Sequence, residues 1–211
     1  MFRKPGIWIG VLLILLAVGL FFVFQPTAAP TPTPTPTPLA TPSPTLAPLS
    51  PPVTVDLTGK ISDTGILLED VVIASSDGRA KLTLPKGALV MDDNRQPAKS
   101  VTCTPFQPPE SKEGLVVGLG YEWAVGESAG ELGHHGTIMP VATVSITYDS
   151  PPANPRIDLS KPDIAVWSAE KQLWVKCPSP VTAELATRTL TGSLANFGSA
   201  VVIYWYTDVS T

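Results

Sequence analysis

The side chains of this 211-residue chain that could do chemistry are few, and they are scattered. Cys103 and Cys177 are its only cysteines. A zinc site takes about four ligands, and two cysteines without C-x-x-C spacing fall short of one. His134 and His135 are the only histidines, adjacent in a segment flanked by Gly133 and Gly136. Neighbours on a strand point to opposite faces and in a turn seldom converge on one ion, so these read as turn or surface residues. Asp92-Asp93-Asn94 offers oxygen atoms to calcium, but the D-x-D-x-D-G spacing is missing, and an Asx turn accounts for the run. Glu122, Glu127 and Glu131 lie close to Tyr121 and Trp123. Carboxylates beside aromatic rings suit a sugar, as a binding site or a small hydrolase, and they equally describe a solvated strand and loop. No catalytic, metal-binding or cofactor-binding residue is assigned, no cofactor is implied, and an enzyme is not expected.

The elements that would position these residues follow a period of two. Val53 to Leu57, Ala80 to Leu84 and Val141 to Tyr148 alternate apolar with polar side chains. Ile164 to Trp167 and Gln172 to Lys176 flank Ser168-Ala169-Glu170-Lys171, which reads as a hairpin turn. Ser199 to Tyr206 is a closing strand, and its run from Val201 is apolar on both faces, so it should be central or covered. Only Thr182 to Leu190 could pass for a short helix. Short strands separated by turn-rich pieces predict an all-β fold over residues 53–211, a single antiparallel β-sandwich. Trp123, Trp167, Trp174 and Trp205 are expected in its core, and an exposed pair would instead suggest glycan or partner binding.

The N-terminal quarter is of another kind. Ile7 to Phe24 is an uncharged apolar run of 18 residues that would rise roughly 27 Å as a helix, near the thickness of a bilayer core. Ile7, Trp8, Leu12, Leu15, Phe21 and Phe24 would contact the lipid bilayer, with the aromatic residues at its interfaces. Arg3 and Lys4 precede the run, and the next basic residue is Lys60. That asymmetry predicts a cytoplasmic N-terminus at 1–6, a signal-anchor at 7–24 and an extracytoplasmic C-terminal domain. If the segment is instead cleaved near Ala28, the domain is secreted. Residues 25–52 hold 11 of the 24 prolines. They predict a disordered Pro/Thr/Ser stalk, extended like polyproline II and up to roughly 87 Å long. Of 14 basic residues, Arg3 and Lys4 lie in the head, leaving 12 against 18 acidic ones. An acidic domain without basic clusters argues against nucleic acid as partner. Outside a membrane, two cysteines on separate predicted strands read as one disulfide, Cys103–Cys177, worth roughly 4 kcal/mol in the chain-entropy model.

Three segments together resemble a known family. Lys81-Leu82-Thr83-Leu84-Pro85-Lys86-Gly87-Ala88-Leu89 is similar to the opening of the ZU-five domain of ankyrins and netrin receptors. Glu131 to Thr137, then Pro140-Val141 and the strand to Tyr148, resemble its glycine-histidine block, although His134 stands where proline is usual and Met139 near where an aromatic residue is common. Ile164 to Trp167, Trp174-Val175 and Asn196-Phe197-Gly198 are similar to the tail of related prokaryotic surface domains. The resemblance implies a non-catalytic β-sandwich for binding or assembly, displayed at a cell envelope with a protein or glycan as partner. Some relatives cut themselves after the phenylalanine of a His-Phe-Ser motif, a reaction that needs a hydroxyl nucleophile. Gly198 supplies none, so intact-mass analysis should show an uncut chain; a fragment beginning at Gly198 or Ser199 would refute this.

Overall fold

Alternating burial drives the chain into strands. In the computed structural model, residues 49–126 and 134–207 are described, together with the backbone but not the side chains of His134 and His135. Eleven strands follow one another: β1 (Val53–Asp56), β2 (Val71–Ala74), β3 (Ala80–Leu84), β4 (Leu89–Met91), β5 (Ser100–Phe106), β6 (Gly114–Val125), β7 (His134–Thr147), β8 (Asp163–Ser168), β9 (Leu173–Lys176), β10 (Thr182–Glu184) and β11 (Thr189–Trp205). In β3, Ala80, Leu82 and Leu84 are buried while Lys81 faces solvent, the period-two pattern of a half-buried strand. Among the described residues no helix is long and apolar enough to cross a membrane. The expected anchor at 7–24, with Arg3 and Lys4 before it, lies outside the described residues, as does the stalk up to Pro48.

The 17-residue strand β11 joins the two halves of the sheet. Its first half, Thr189 to Leu194, pairs with β7 on one edge, and Thr189 to Thr191 pair with β10 on the other. Its second half, Gly198 to Trp205, pairs with β6, and Ala200 to Ile203 pair with β8. Beyond β7 lie β3 and then β2; beyond β6 lie β5 and then β1; and β9 extends β8. All these pairings are antiparallel, and β2 comes back against β1 and β5. The result is one antiparallel sheet curled almost into a barrel. The all-β, antiparallel character is as expected; hydrogen bonding is continuous through β11, and bulges let that one strand turn the corner of the curl.

The concave side holds the main core, including Ile73, Leu82, Leu84, Val101, Trp123, Val144, Ile146, Leu190 and Val202. Tyr121 and Trp123 meet there with ring centroids 6.2 Å apart. A second apolar cluster lies on the convex side of the β5–β6–β11–β8–β9 region, made of Phe106, Ala165, Trp174, Val201 and Ile203. Phe106 stacks on Trp174 at 6.5 Å, and Trp174 donates its indole N–H to the Pro109 carbonyl at 3.3 Å. Ser199 to Tyr204 are consequently buried on both faces, and the closing strand is central, as its sequence implied.

Residues Thr182 to Leu190 form β10, a turn and the start of β11, not a helix. Thr182, Thr187 and Thr189 are β-branched and lower helix propensity, and pairing across this turn satisfies the backbone instead. Phe106 sits directly over Gly120, its partner in register. A Cβ at position 120 would lie 2.8 Å from ring carbons Cε1 and Cε2 of Phe106. Gly120→Ala should therefore cost about 1–3 kcal/mol by overpacking, read as a lower urea midpoint at unchanged m-value.

Candidate binding surface

Where β11 changes partners, its register against β7 breaks: Leu194 pairs with Ala142 but Asn196 pairs with Thr137. A further shift separates Asn196 from Gly198, which pairs with His134 and, across β6, with Trp123. Pro140, which has no N–H to give to a ladder, lies in the looped-out part of β7. The bulged stretch of β11, the β8–β9 hairpin and Pro178 together enclose a groove of about 480 Å³. Phe197 and Leu194 form its apolar lining from the core side, being 1% and 5% exposed. Trp167, held edge-on against Trp174 at 5.1 Å and 71°, lines it from the hairpin side. The hairpin is fixed by the Gln172 amide bonding the Ser168 carbonyl at 2.8 Å, with Gln172 at φ 53°.

Two residues that line this groove, Trp167 and Ser199, each carry a buried polar atom, Nε1 and Oγ, with no hydrogen-bond partner among the described residues. Such groups ordinarily find partners, because leaving one unsatisfied costs about 1–3 kcal/mol. Ser199 as a residue is 2% exposed. Asn196 and Ala195 form an exposed rim, and Glu170 is the only charged residue among the described ones that line the groove.

A second concavity, about 550 Å³, lies where β8 begins at Asp163 and β9 and β11 end at Lys176 and Trp205. Its polar groups are already engaged with one another. Trp205 donates its indole N–H to Asp163 at 2.9 Å, Lys176 lies 5.7 Å over the Trp205 ring, and Lys161 pairs with Asp158 at 3.1 Å. Hydrogen bonds from the Ser160 hydroxyl and amide, with Lys161 adjoining, pull the Asp158 carboxyl down to about 2.

The structure separates the chemical candidates rather than gathering them. Cys103 lies in mid-β5 and Cys177 just after β9, and both are free, buried thiols; the expected disulfide is not formed. The Cys177 thiol donates to the Ser193 carbonyl at 3.2 Å, and burial pushes the Cys103 thiol up to about 12. Asp92 caps its own turn, accepting from the amides of Asn94 and Gln96 at 2.9 and 2.7 Å, which is the Asx geometry expected. His134 and His135 open β7 instead of a loop, and their side chains lie outside the described residues. Glu122 is fully buried beside Ser199 in register, while Glu127 and Glu131 lie outside the described residues. Among the described residues no three His, Cys, Asp or Glu side chains group as metal ligands. Trp123 and Trp174 are buried as expected, whereas Trp167 and Trp205 are only half-buried.

Two features escaped the sequence reading. Gly126-Glu127-Ser128-Ala129-Gly130 fits the G-x-S-x-G pattern of a nucleophile elbow. That motif works at a strand-to-helix turn. Here it connects strand β6 to strand β7, and Ser128 lies outside the described residues. The other is the groove itself, whose residues come from distant segments. No protein-family model matches this chain, and no curated protein matches it either.

Among the described residues, Asp77, at the tip of the β2–β3 hairpin, is a well-connected carboxylate. It accepts hydrogen bonds from the Ser75 hydroxyl, the Arg79 amide at 3.0 Å and Tyr121 on β6 at 2.8 Å. Partial burial is the largest single influence and raises its pKa, but the three hydrogen bonds and Arg79 together outweigh it and hold the carboxyl below its ordinary 3.8. A depressed folded-state pKa means stability that is full above the unfolded value and lost as pH falls through the folded one. Urea midpoints should thus drop below about pH 4, and Asp77→Asn should flatten that drop while lowering stability at pH 7; an unchanged acid slope would show that Asp77 is not the group responsible.

Proposed function

We propose that this chain is a membrane-tethered cell-envelope protein whose β-domain is a non-catalytic interaction module. In this reading residues 7–24 anchor the chain in the bilayer with Arg3 and Lys4 on the cytoplasmic side. Residues 25–52 space the domain from the membrane, and residues 53–211 are presented outside. The similarity of residues 79–206 to ZU-five and related surface domains supports an assembly role, as does the antiparallel all-β architecture.

The observation that carries the reading is the groove beside the β11 crossing. It joins an apolar lining of Leu194 and Phe197 to the half-buried ring of Trp167 and an exposed rim of Ala195 and Asn196. A ligand that buries apolar surface on this lining while pairing with the polar rim gains both contacts at once. A tethered module of this kind works at high local concentration, so modest affinity suffices. Glycan binding is a second reading, favoured by the half-buried Trp205 in the other concavity, although its indole N–H and the nearby charges are already paired within the chain.

The test is a photoreactive benzoylphenylalanine at Ala195, on the rim, in the full chain in native membranes. Adducts should form there, disappear in Trp167→Ala, and be absent when the same probe replaces exposed Glu69. Equal labelling at both positions, or none at Ala195, would sink the interaction reading.

A further inference from the structure

We propose that a small cleft beside the β10–β11 turn is a second binding site, which captures the C-terminal carboxylate and apolar last side chain of a peptide. The cleft measures about 270 Å³ and shares no lining residue with the groove at the β11 crossing. Tyr148, directly after β7, and Tyr204 of β11 line it from the core side, being 5% and 2% exposed. Their rings meet edge to face with centroids 6.2 Å apart. Leu185, in the turn, and Leu159, between β7 and β8, form outer walls that are half exposed. Arg188 is the only charged residue among the described ones that line the cleft.

Three observations on Arg188 point to a ligand. The first is its backbone. Leu185-Ala186-Thr187-Arg188 joins β10 to β11, with Glu184 opposite Thr189, and the last of these four residues is left-handed at φ 51°. Glycine takes that conformation freely, and any other side chain is carried there at a cost. Gln172 holds the same position in the β8–β9 turn at φ 53°, and its side chain closes that turn by donating to the Ala169 carbonyl at 2.7 Å. Arg188 closes nothing of the kind. The second is its lack of an acidic partner. Among the described residues no carboxylate pairs with its guanidinium, although the domain holds 18 acidic residues against 12 basic ones. The third is the reach of its charge. Burial and the hydrogen bond to Tyr148 hold the Tyr204 hydroxyl well above its ordinary value of 10, and Arg188 acts on that hydroxyl in the opposite sense. The Tyr148 amide bonds the Arg188 carbonyl at 3.0 Å, which fixes the turn against the two tyrosines.

The chemistry of the lining selects the ligand. A guanidinium fork matches a carboxylate through two parallel hydrogen bonds. One cation among neutral and apolar groups suits a single negative charge, whereas a phosphate dianion on an acidic domain would need several cations. The volume is below the roughly 300–1,000 Å³ of sites that enclose a whole small molecule, so the cleft fits one end of a longer ligand. Leu159 and Leu185 then cover an aliphatic or aromatic side chain next to the carboxylate. The last residue of a peptide brings both groups together, and capture of a terminal carboxylate is an established way of reading peptides.

The test uses the full chain in deuterated detergent and acetyl-Ala-Ala-Leu ending either in a free carboxylate or in an amide, read by saturation transfer to the leucine methyls. The acid should bind, the amide should bind at least about 10-fold more weakly, and equimolar inorganic phosphate should not displace the acid. Arg188→Gln should weaken the acid roughly 10- to 100-fold, and Arg188→Lys should recover only part of the loss, since an ammonium lacks the fork. Arg188→Gly should bind no better than Arg188→Gln yet melt no lower than the parent, because glycine suits φ 51°. No transfer to the acid, equal binding of acid and amide, displacement by phosphate, or full affinity in Arg188→Gln would overturn the site. A clearly lower melting temperature in Arg188→Gly would make the arginine structural and overturn it too. Binding of free 4-methylpentanoate without binding of the peptide would overturn the peptide as occupant. None of these outcomes bears on adducts at position 195, so this site and the interaction module stand or fall separately.

Discussion

One constraint organises this domain: the two edges of β11 must be satisfied along 17 residues by four different partners. A buried strand cannot leave its amides and carbonyls unpaired. No single neighbour is long enough and suitably curved to follow it from Thr189 to Trp205. The chain solves this by handing β11 from β7 to β8 on one edge and from β10 to β6 on the other. The exchange forces register breaks between Leu194 and Gly198, and those breaks let the sheet turn back until β2 meets β1 and β5. The hydrogen bond from Tyr121 to Asp77 ties the β2–β3 hairpin to β6, across the interior of the curl.

The same exchange sets the convex side. Once β6, β11 and β8 are contiguous, Val201 and Ile203 project outward into what would be solvent, and the chain covers them with Phe106, Trp174 and the segment around Pro109. Gly120 is what allows Phe106 to lie flat on β6, since any side chain there would meet the ring. Cover extends over Ala165 and Trp174 but thins toward the hairpin, leaving Trp167 half-buried at the cluster's margin. The groove is thus the meeting of two incomplete closures, a register break on β11 and the edge of the outer cluster.

Much of the strand content was readable because one-sided burial writes itself as alternation. Val53 to Asp56, Ala80 to Leu84 and the β8–β9 hairpin are such cases, while the second half of β11, buried on both faces, was legible as an unbroken apolar run. Strands β5 and β6 were not read, and the reason is physical: Val101 to Phe106 and Gly120 to Val125 are buried on both faces, which erases the period. The glycines of β6 look like turn residues until Phe106 is placed above one of them. Thr182 to Leu190 misled for the opposite reason, since an exposed edge strand carries no burial pattern at all. The disulfide was inferred from redox setting and count, neither of which carries the register that places one cysteine in β5 and the other beyond β9. The groove could not be read because Trp167 and Ser199 become neighbours only through the β8–β11 pairing.

A closed curl and an open groove place different demands on the same strand. Bulges suffice for the curl, and an alanine at position 199 would serve its packing as well as a serine. A phenylalanine at 167 would likewise keep the edge contact with Trp174 without burying a donor. Stability alone therefore gives no reason for these two residue types, because each leaves a polar group without a partner at a cost of about 1–3 kcal/mol. Such a cost is ordinarily tolerated where something outside the fold offsets it. Both residues line one cleft, beside the crossing of the 17-residue strand β11. That placement is what the proposed interaction module needs, and the rest of the sheet holds it in position.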